Sequence, residues 1–564
     1  MTHWGPELRE GGDVRFRLWA PDRQAVALEI DGRPSVDMVR DAEGWFSVSA
    51  PAPPGTRYRF RLDGDLAVPD PASRLQSGGV HGWSVIVDPS FAWSATEWSG
   101  RPWEEMVLME VHVGTLGGFA GVRERLTAIA AMGITAIELM PVNAFGGTRN
   151  WGYDGVLPYA VAEAYGSPAE LRTLVDTAHS LGLSVFLDVV YNHFGPDGNY
   201  LNAYASAFFH KDVDTPWGGA VAVDADPVHR FFVDNALMWL RDYRIDGLRF
   251  DAVHAIDNDG FLDRMAHEIR AALPNRHVHL VLENEKNDAE RLVAGRFDAQ
   301  WNDDFHNVLH VLLTGETSAY YRDFADRPTE RLARCLKEGF IYQGEGSPNH
   351  DGKPRGKPSG MLPATAFVAF LQNHDQVGNR AMGERLIQLT DPNRLRAATA
   401  LLLLGPQIPL LFMGEDEGSE SPFLFFTDFH DKLADAVREG RRREFAGFDA
   451  FADERARARI PDPNARATFD ASVPSPGPQA GEWRAFYREL LALRRVHIMP
   501  RLKGAVGLAG EVMANRAVKA RWRMADGACL TMLIDLGDAP PPLPDEEGNL
   551  LYREGDRFAA WLTP

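Results

Sequence analysis

A chain of 564 residues is too long for one ordinary core, and 45% hydrophobic with 24% charged residues is the make-up of a globular protein rather than a disordered or fibrous one. A formal net charge of −20 and an isoelectric point near 5.3 repel polyanions, which argues against nucleic acid and anionic membrane partners and favours a neutral substrate. No apolar run approaches the roughly 18 to 20 residues of a membrane span, the N-terminus has no basic-then-apolar leader, and Cys335 and Cys529 lack disulfide or zinc spacing, so a cytoplasmic protein without those staples is expected.

Residues 14 to 100 alternate short strand-like runs (VRFRLWAP, AVALEI, GWFSVSA, TRYRFRLDG) with Gly, Pro and Asp turns, the pattern of an antiparallel sandwich. We assign residues 1–100 to an N-terminal immunoglobulin-like β-sandwich. Its Trp19, Trp45, Trp83 and Trp93 suit either packing or a sugar-stacking surface.

From Val107 the signals alternate between strand and helix. VLMEVHVG precedes a helix in which Val122, Leu126, Ile129 and Ala130 recur at helical spacing, closed by Gly133. AIELMPV leads to SPAELRTLVDTAHSLG, where Ser167, Pro168 and Glu170 predict a capping box. SVFLDVVYNH is paired with DPVHRFFVDNALMWLRDY, GLRFDAVH with FLDRMAHEIRAAL, and VHLVLENE with a helix over DAERLVAG. FDAQWNDDF is followed by an irregular stretch and PTERLARCLKEGF, TAFVAFLQNHD by NRLRAATALLLL, and PLLFMGEDEG by the distant GEWRAFYRELLALRRVH. Continuous apolar strands separated by helices indicate a parallel sheet buried on both faces, and eight repeats suggest a closed (β/α)8 TIM barrel over 101–500.

The basic run REGRRREF, 438 to 445, reads as a solvated helix face or a local pairing site rather than a nucleic-acid patch, and 344 to 363 with 415 to 480 as functional loops on the barrel. Residues 501–564 return to short β runs and predict a small C-terminal β domain. The expected class is α/β: a (β/α)8 barrel with an N-terminal β-sandwich and a small C-terminal β domain.

Chemistry in such a barrel sits at the C-terminal ends of its strands, where this chain places Asp188, Asp251, Glu283 and Asp375. One strand-end acid is commonly a cap or turn former, and Arg249 with Asp251 alone reads as well as a structural ion pair. Four acids sharing a mouth raise one another's pKa and cost stability unless partners or a task offset this. Glycoside hydrolysis requires two carboxyls, one ionised and one protonated. Arg249 can keep Asp251 ionised, and the apolar surroundings of Glu283 can keep its proton.

DVVYNH, GLRFDAVH, LEN and LQNHDQ, in that order at those strand ends, resemble the four conserved regions of the α-amylase superfamily of glycoside hydrolases. The resemblance implies Asp251 as nucleophile, Glu283 as general acid/base and Asp375 as the acid that orients the sugar hydroxyls. It implies Arg249, His193 and His374 around the first donor sugar and Tyr153 of WGYD as its stacking platform. Within the superfamily, MEVHVGTL, NWGYDGVLPYA, DVVYNHFGPDGNYL, TPWGGA, DGLRFDAVHAI, LQNHDQVGNRA and SPFLFFTDFHD resemble the malto-oligosyltrehalose trehalohydrolase family. Its enzymes cleave the α-1,4 bond next to a terminal trehalose unit. The implied partners are malto-oligosyltrehalose and other α-1,4-glucan oligosaccharides, with functional pairing to malto-oligosyltrehalose synthase.

Candidates for reading the trehalose end are Asp303, Asp304, His306 and Asn307, with Gln376 and Asn379 beyond the last acid; WNDDFHN is equally an Asx-rich loop start. His254 is a subsite candidate without a firm role. Many α-amylases use the Asn of the first region, here Asn192, in binding calcium, but the short insertion after it offers no evident oxygen cage, so no cofactor and no required metal are expected. Two other functions remain open. Glycogen branching enzymes share the three acids but usually carry Ser-His-Asp-Glu where this chain has Asn373-His374-Asp375-Gln376, and a glucan-binding scaffold with a dead barrel would lack acids that are present.

Overall fold

A computed structural model describes residues 4–9, 11–215, 218–256, 259–447, 449–451 and 453–564. Its centre is a closed parallel barrel of eight strands. In order these are Leu108–Val111, Ala136–Leu139, Ser184–Val189, Gly247–Phe250, His279–Leu282, Ala299–Trp301, Phe367–Phe370 and Ile408–Phe412. Closure comes from the first strand pairing in parallel with the last, Leu108 opposite Leu410. Inward-pointing Leu108, Ala136, Phe186, Val281, Trp301, Val368, Phe370 and Leu410 fill the interior, so the barrel is a packed core and not a pore. Every residue of the eight strands is buried, which accounts for their near-continuous apolar sequence.

The expected (β/α)8 barrel with β domains before and after it is therefore present. Residues 7–85 form two antiparallel sheets whose facing sides meet at Phe16 and Tyr58, 4.8 Å between ring centroids. Trp4 ties this unit to the barrel: its ring packs on Trp19, Trp45, Phe208 and Phe231, and its Nε1–H donates to the Pro227 carbonyl at 3.0 Å. Trp83 lies under the Arg59 guanidinium and Trp93 under that of Arg244, so all four tryptophans singled out in this region have packing partners. A five-stranded antiparallel sheet covers 506–563. Its Trp522 donates to the Leu336 carbonyl at 2.9 Å, seating the sheet on the helix Pro328–Glu338.

Local sequence chemistry sets the barrel helices. Ser167 caps Pro168–Ser180: its hydroxyl accepts from the Glu170 N–H at 3.2 Å while the Glu170 carboxylate accepts from the Ser167 N–H at 2.8 Å. Two expectations need correction. DAERLVAG supplies only a three-residue 3-10 turn, Ala289–Arg291, because Asp288 caps so short a segment that no helix propagates. FDAQWNDDF opens the twelve-residue helix Asp303–Thr314, in which Phe305, Leu309 and Leu312 are buried at helical spacing. REGRRREF does lie on a helix, Asp431–Glu444, whose Arg441 is buried. Pro216 and Trp217 of TPWGGA lie outside the described residues.

Gly247 opens the fourth strand where a Cβ would stand 2.2 Å from the buried Phe186 ring. We expect Gly247→Ala to lower stability by about 1–3 kcal/mol through overpacking, read from the urea midpoint of the full chain.

Candidate active site

The backbone ladder carries the fourth and fifth strands one residue beyond their ends and so fixes two carboxyls. The Asp251 N–H donates to the Val189 carbonyl at 3.0 Å, and the Glu283 N–H to the Phe250 carbonyl at 3.0 Å. Between them Ala252 adopts a left-handed conformation, φ 41°, sparsely populated for a residue with a Cβ. That turn aims the Ala252 N–H at Glu283 Oε2, 2.6 Å away.

Arg249 is fully buried under this mouth. Its Nη1 donates to Asp188 Oδ2 at 2.6 Å and to Asp251 Oδ1 at 2.7 Å, and its guanidinium lies 4.2 Å from the Trp301 ring centroid. The Tyr153 hydroxyl also donates to Asp188 Oδ2, at 2.6 Å, so Asp188 holds both Arg249 and Tyr153 in place. Burial pushes Asp188 up to about 7 despite Arg249.

Tyr153 is placed by its own loop. Asn150 Oδ1 accepts from the Gly152 N–H at 2.7 Å, Asn150 Nδ2 donates to Asp154 at 2.6 Å, and Trp151 donates to the Leu424 carbonyl at 2.9 Å. The SPFLFFTDFHD segment thus packs on the WGYD loop, with Phe423 stacked on Trp151 and Asp428 accepting from the Thr148 hydroxyl at 2.7 Å. The Tyr153 ring stacks on His374, 5.0 Å between centroids, and His193 Nε2–H donates to the Tyr153 carbonyl at 3.0 Å. Burial lowers the His193 pKa and favours its neutral form.

The seventh strand leads into a short helical turn, His374–Gly378, capped by Asn373 Oδ1, which accepts from the N–H groups of Asp375 and Gln376. His374 gives its backbone N–H to Glu110 Oε2 at 2.8 Å and its ring Nδ1–H to Glu110 Oε1. Its ring also lies 3.4 Å from Asp375. Burial alone would depress the His374 pKa, but Asp375 and Glu110 outweigh it and hold His374 up at about 9. Glu110 was not among the sequence candidates. The available signal was an acid inside the otherwise apolar strand run VLMEV.

Glu283 is pushed well above the carboxylate range by burial, with Asp251, Asp303 and Asp375 adding to the shift and Arg249 opposing it. Asp303, the first residue of its helix, is pushed up to about 7 by burial and by Asp375, and accepts from Gln376 Nε2 at 3.2 Å. Asn379 Nδ2 donates to Asp375 Oδ1 at 3.2 Å. Asp251, Glu283, Asp303 and Asp375 therefore converge on one mouth, with Gln376 and Asn379 as their props. His254 sits at its edge, its Nδ1 accepting from the Glu285 N–H at 3.3 Å.

Two acceptor-side expectations are corrected. Asp304 faces inward: it is fully buried, Oδ2 accepts from Asn287 and from the N–H groups of Ile341 and Tyr342, and Oδ1 is 3.2 Å from Arg355. His306 is also buried, its ring donating to the Leu371 carbonyl. Asp303 and Asn307, about one turn apart on the helix, are half-buried, whereas Asp304 and His306 lie on the two flanks of that face and are buried. Among the described residues no cluster of three or more His, Cys, Asp or Glu is arranged to hold a metal ion.

A group raised from about 6.5 to about 9 contributes stability that is complete below pH 6.5 and lost as pH rises through 9. Glu110→Gln removes one of the two anions that raise His374, the one hydrogen-bonded to its ring. We expect the variant to lose less stability than wild type between pH 6 and 9.5; equal losses in urea titrations at the two pH values would remove the basis for this pairing.

The α-amylase catalytic-domain model matches residues 86–217, and a model described as a domain of unknown function, DUF3459, matches 507–561. The malto-oligosyltrehalose trehalohydrolase of Saccharolobus solfataricus is 41% identical over 512 residues, 87% of each chain. That of Deinococcus radiodurans is 40% identical over 529 residues, 91% of this chain and 86% of its own. A crystal structure of a Salmonella typhimurium protein carrying a provisional α-amylase assignment superposes with a TM-score of 0.94, at 44% identity and full coverage of both chains. The barrel, the acids at its strand ends and these likenesses place the chain among the α-amylase-type glycoside hydrolases, in the malto-oligosyltrehalose trehalohydrolase family.

Proposed function

We propose that the protein hydrolyses, with retention, the α-1,4-glucosidic bond next to the terminal trehalose unit of malto-oligosyltrehalose, releasing trehalose and a malto-oligosaccharide. The observation that carries this reading is the pair of carboxyls on adjacent strands with opposite surroundings: Asp251 lies on the Arg249 cation, while Glu283 is half-buried among other acids, where desolvation and those acids push its pKa up. Glu283 gives its proton to the glycosidic oxygen as Asp251 attacks the anomeric carbon. The C–O bond breaks, trehalose leaves, and a glycosyl ester remains on Asp251. The Glu283 carboxylate then takes a proton from water, which attacks the same carbon and frees Asp251.

Asp375, flanked by His374, binds hydroxyls of the donor sugar, with Arg249 and His193 around the same ring and Tyr153 beneath it. Asp303, Gln376, Asn379, Asn307 and His254 line the acceptor side and read the trehalose unit. Support for Asp303 and Gln376 is their mutual hydrogen bond beside Asp375. The substrate carries an α,α-1,1 linkage at its end, so an enzyme that isomerises the terminal α-1,4 bond must precede this one, and we place both in cytoplasmic trehalose formation from α-glucans. No helix among the described residues is long and apolar enough to cross a membrane.

Chromatography of products from malto-oligosyltrehalose, beside amylose, tests the assignment. We expect trehalose from the first; branched glucan from amylose without trehalose from the first would favour the branching-enzyme reading instead. Glu283→Gln should lower kcat by about 10²- to 10⁴-fold, and Asp251→Ala should remove turnover by orders of magnitude while the thermal transition persists.

A further inference from the structure

Beneath the mouth lies an acidic side chain that the reaction above leaves unused. Glu138 belongs to the second barrel strand, in register with Glu110 on one side and Phe186 on the other. Ala136, two residues earlier on the same face, and Phe186 are part of the apolar filling, so Glu138 points into the barrel. It is 1% exposed, and neither carboxyl oxygen has a protein hydrogen-bond partner. The charged groups facing it are Glu110 on the first strand, Asp188 on the third, Arg249 on the fourth and His374 after the seventh.

The two cations of this layer are already matched. Arg249 faces Asp188 and Asp251, and His374 faces Glu110 and Asp375. An ionised Glu138 would be a fifth anion against two cations, buried and without a donor, which favours the neutral acid. Burial, then Glu110 and Asp188, push its pKa well above the carboxylate range. A neutral carboxyl offers one O–H donor and one carbonyl acceptor. The same layer holds the complementary unsatisfied atoms: Asp188 Oδ1 as acceptor, and Arg249 Nε and Nη2 as donors, all buried without a protein partner.

We propose that Glu138 is a neutral acid that donates to Asp188 and accepts from Arg249 through bridging water, and so acts as a positioning residue for the Asp188–Arg249–Asp251 clamp. A polar site with several convergent donors and acceptors is the setting in which buried water is retained. The inference rests on the catalytic reading of Asp251 for its activity readouts, but not for its spectroscopic one.

Gln reproduces both the donor and the acceptor, whereas Met keeps the bulk and supplies neither. The infrared spectrum of the substrate-free enzyme at neutral pH should contain a protonated carboxyl carbonyl band that Glu138→Gln lacks; no difference between the two would overturn the proposal whatever the substrate proves to be. On malto-oligosyltrehalose, Glu138→Gln should keep kcat and the acid limb of kcat/KM. Glu138→Met should lower kcat by about tenfold with KM less affected. It should also raise the acid limb by about half a unit or more, because Asp188 loses a donor to its charged form. An acid limb that falls in Glu138→Gln would mean that an anion had been removed, and a Glu138→Met enzyme with wild-type kcat and limb would mean that Glu138 only fills space. Either result contradicts the proposal; if the Met variant does not fold, the Gln variant and the infrared band decide it.

Discussion

The catalytic end of this molecule depends on one buried cation. Arg249 sits on the fourth strand with no solvent contact, and its Nη1 is shared between Asp188 from the third strand and Asp251 from its own. Desolvating three charges is expensive, and a buried ion pair is weak evidence for stability as such, yet removing one member leaves an uncompensated charge at a cost of about 3–5 kcal/mol. The arrangement therefore behaves as a fixed unit. It presents one oxygen-bearing group, Asp251, to the mouth with its orientation set by a planar guanidinium backed by the Trp301 face.

The rest of the mouth is organised around that unit. Asp188 passes the constraint to Tyr153, Tyr153 to His374 through ring stacking, and His374 to Glu110 on the first strand. Glu283 receives no such cation in hydrogen-bond contact. Among the described residues its carboxyl accepts from the Ala252 N–H, and desolvation beside other acids pushes its pKa well above the carboxylate range. Two carboxyls on neighbouring strands thus stand in different surroundings, Asp251 on a cation and Glu283 among acids, the kind of asymmetry that a double-displacement at an acetal uses.

Much of this was legible in the sequence because the barrel repeats one pattern. Apolar runs marked the strands, the sixth, Ala299–Trp301 with Gln300 inside it, least clearly, and the strand-end acids were marked by their positions in those runs. What escaped notice followed from rotation about helices and from depth. WNDDFHN looks like a loop opening because its acids and amides suit turns, and only the burial of Phe305, Leu309 and Leu312 makes it a helix that splits Asp303 from Asp304. DAERLVAG has helical composition without the length to propagate. Glu110 and Glu138 each stand out as an acid inside an apolar strand run, but nothing in the run separates an inward acid from an outward one until the barrel closes.

In the proposed reaction Asp251 forms the bond to sugar and Glu283 moves the proton. Incubating the enzyme with an activated 5-fluoro-glucosyl donor, digesting it and locating the adduct by mass spectrometry tests this directly. A single glucosyl ester on the peptide containing Asp251 is expected; an ester on Glu283 or Asp375, or turnover with inverted anomeric configuration and no adduct, would contradict these roles.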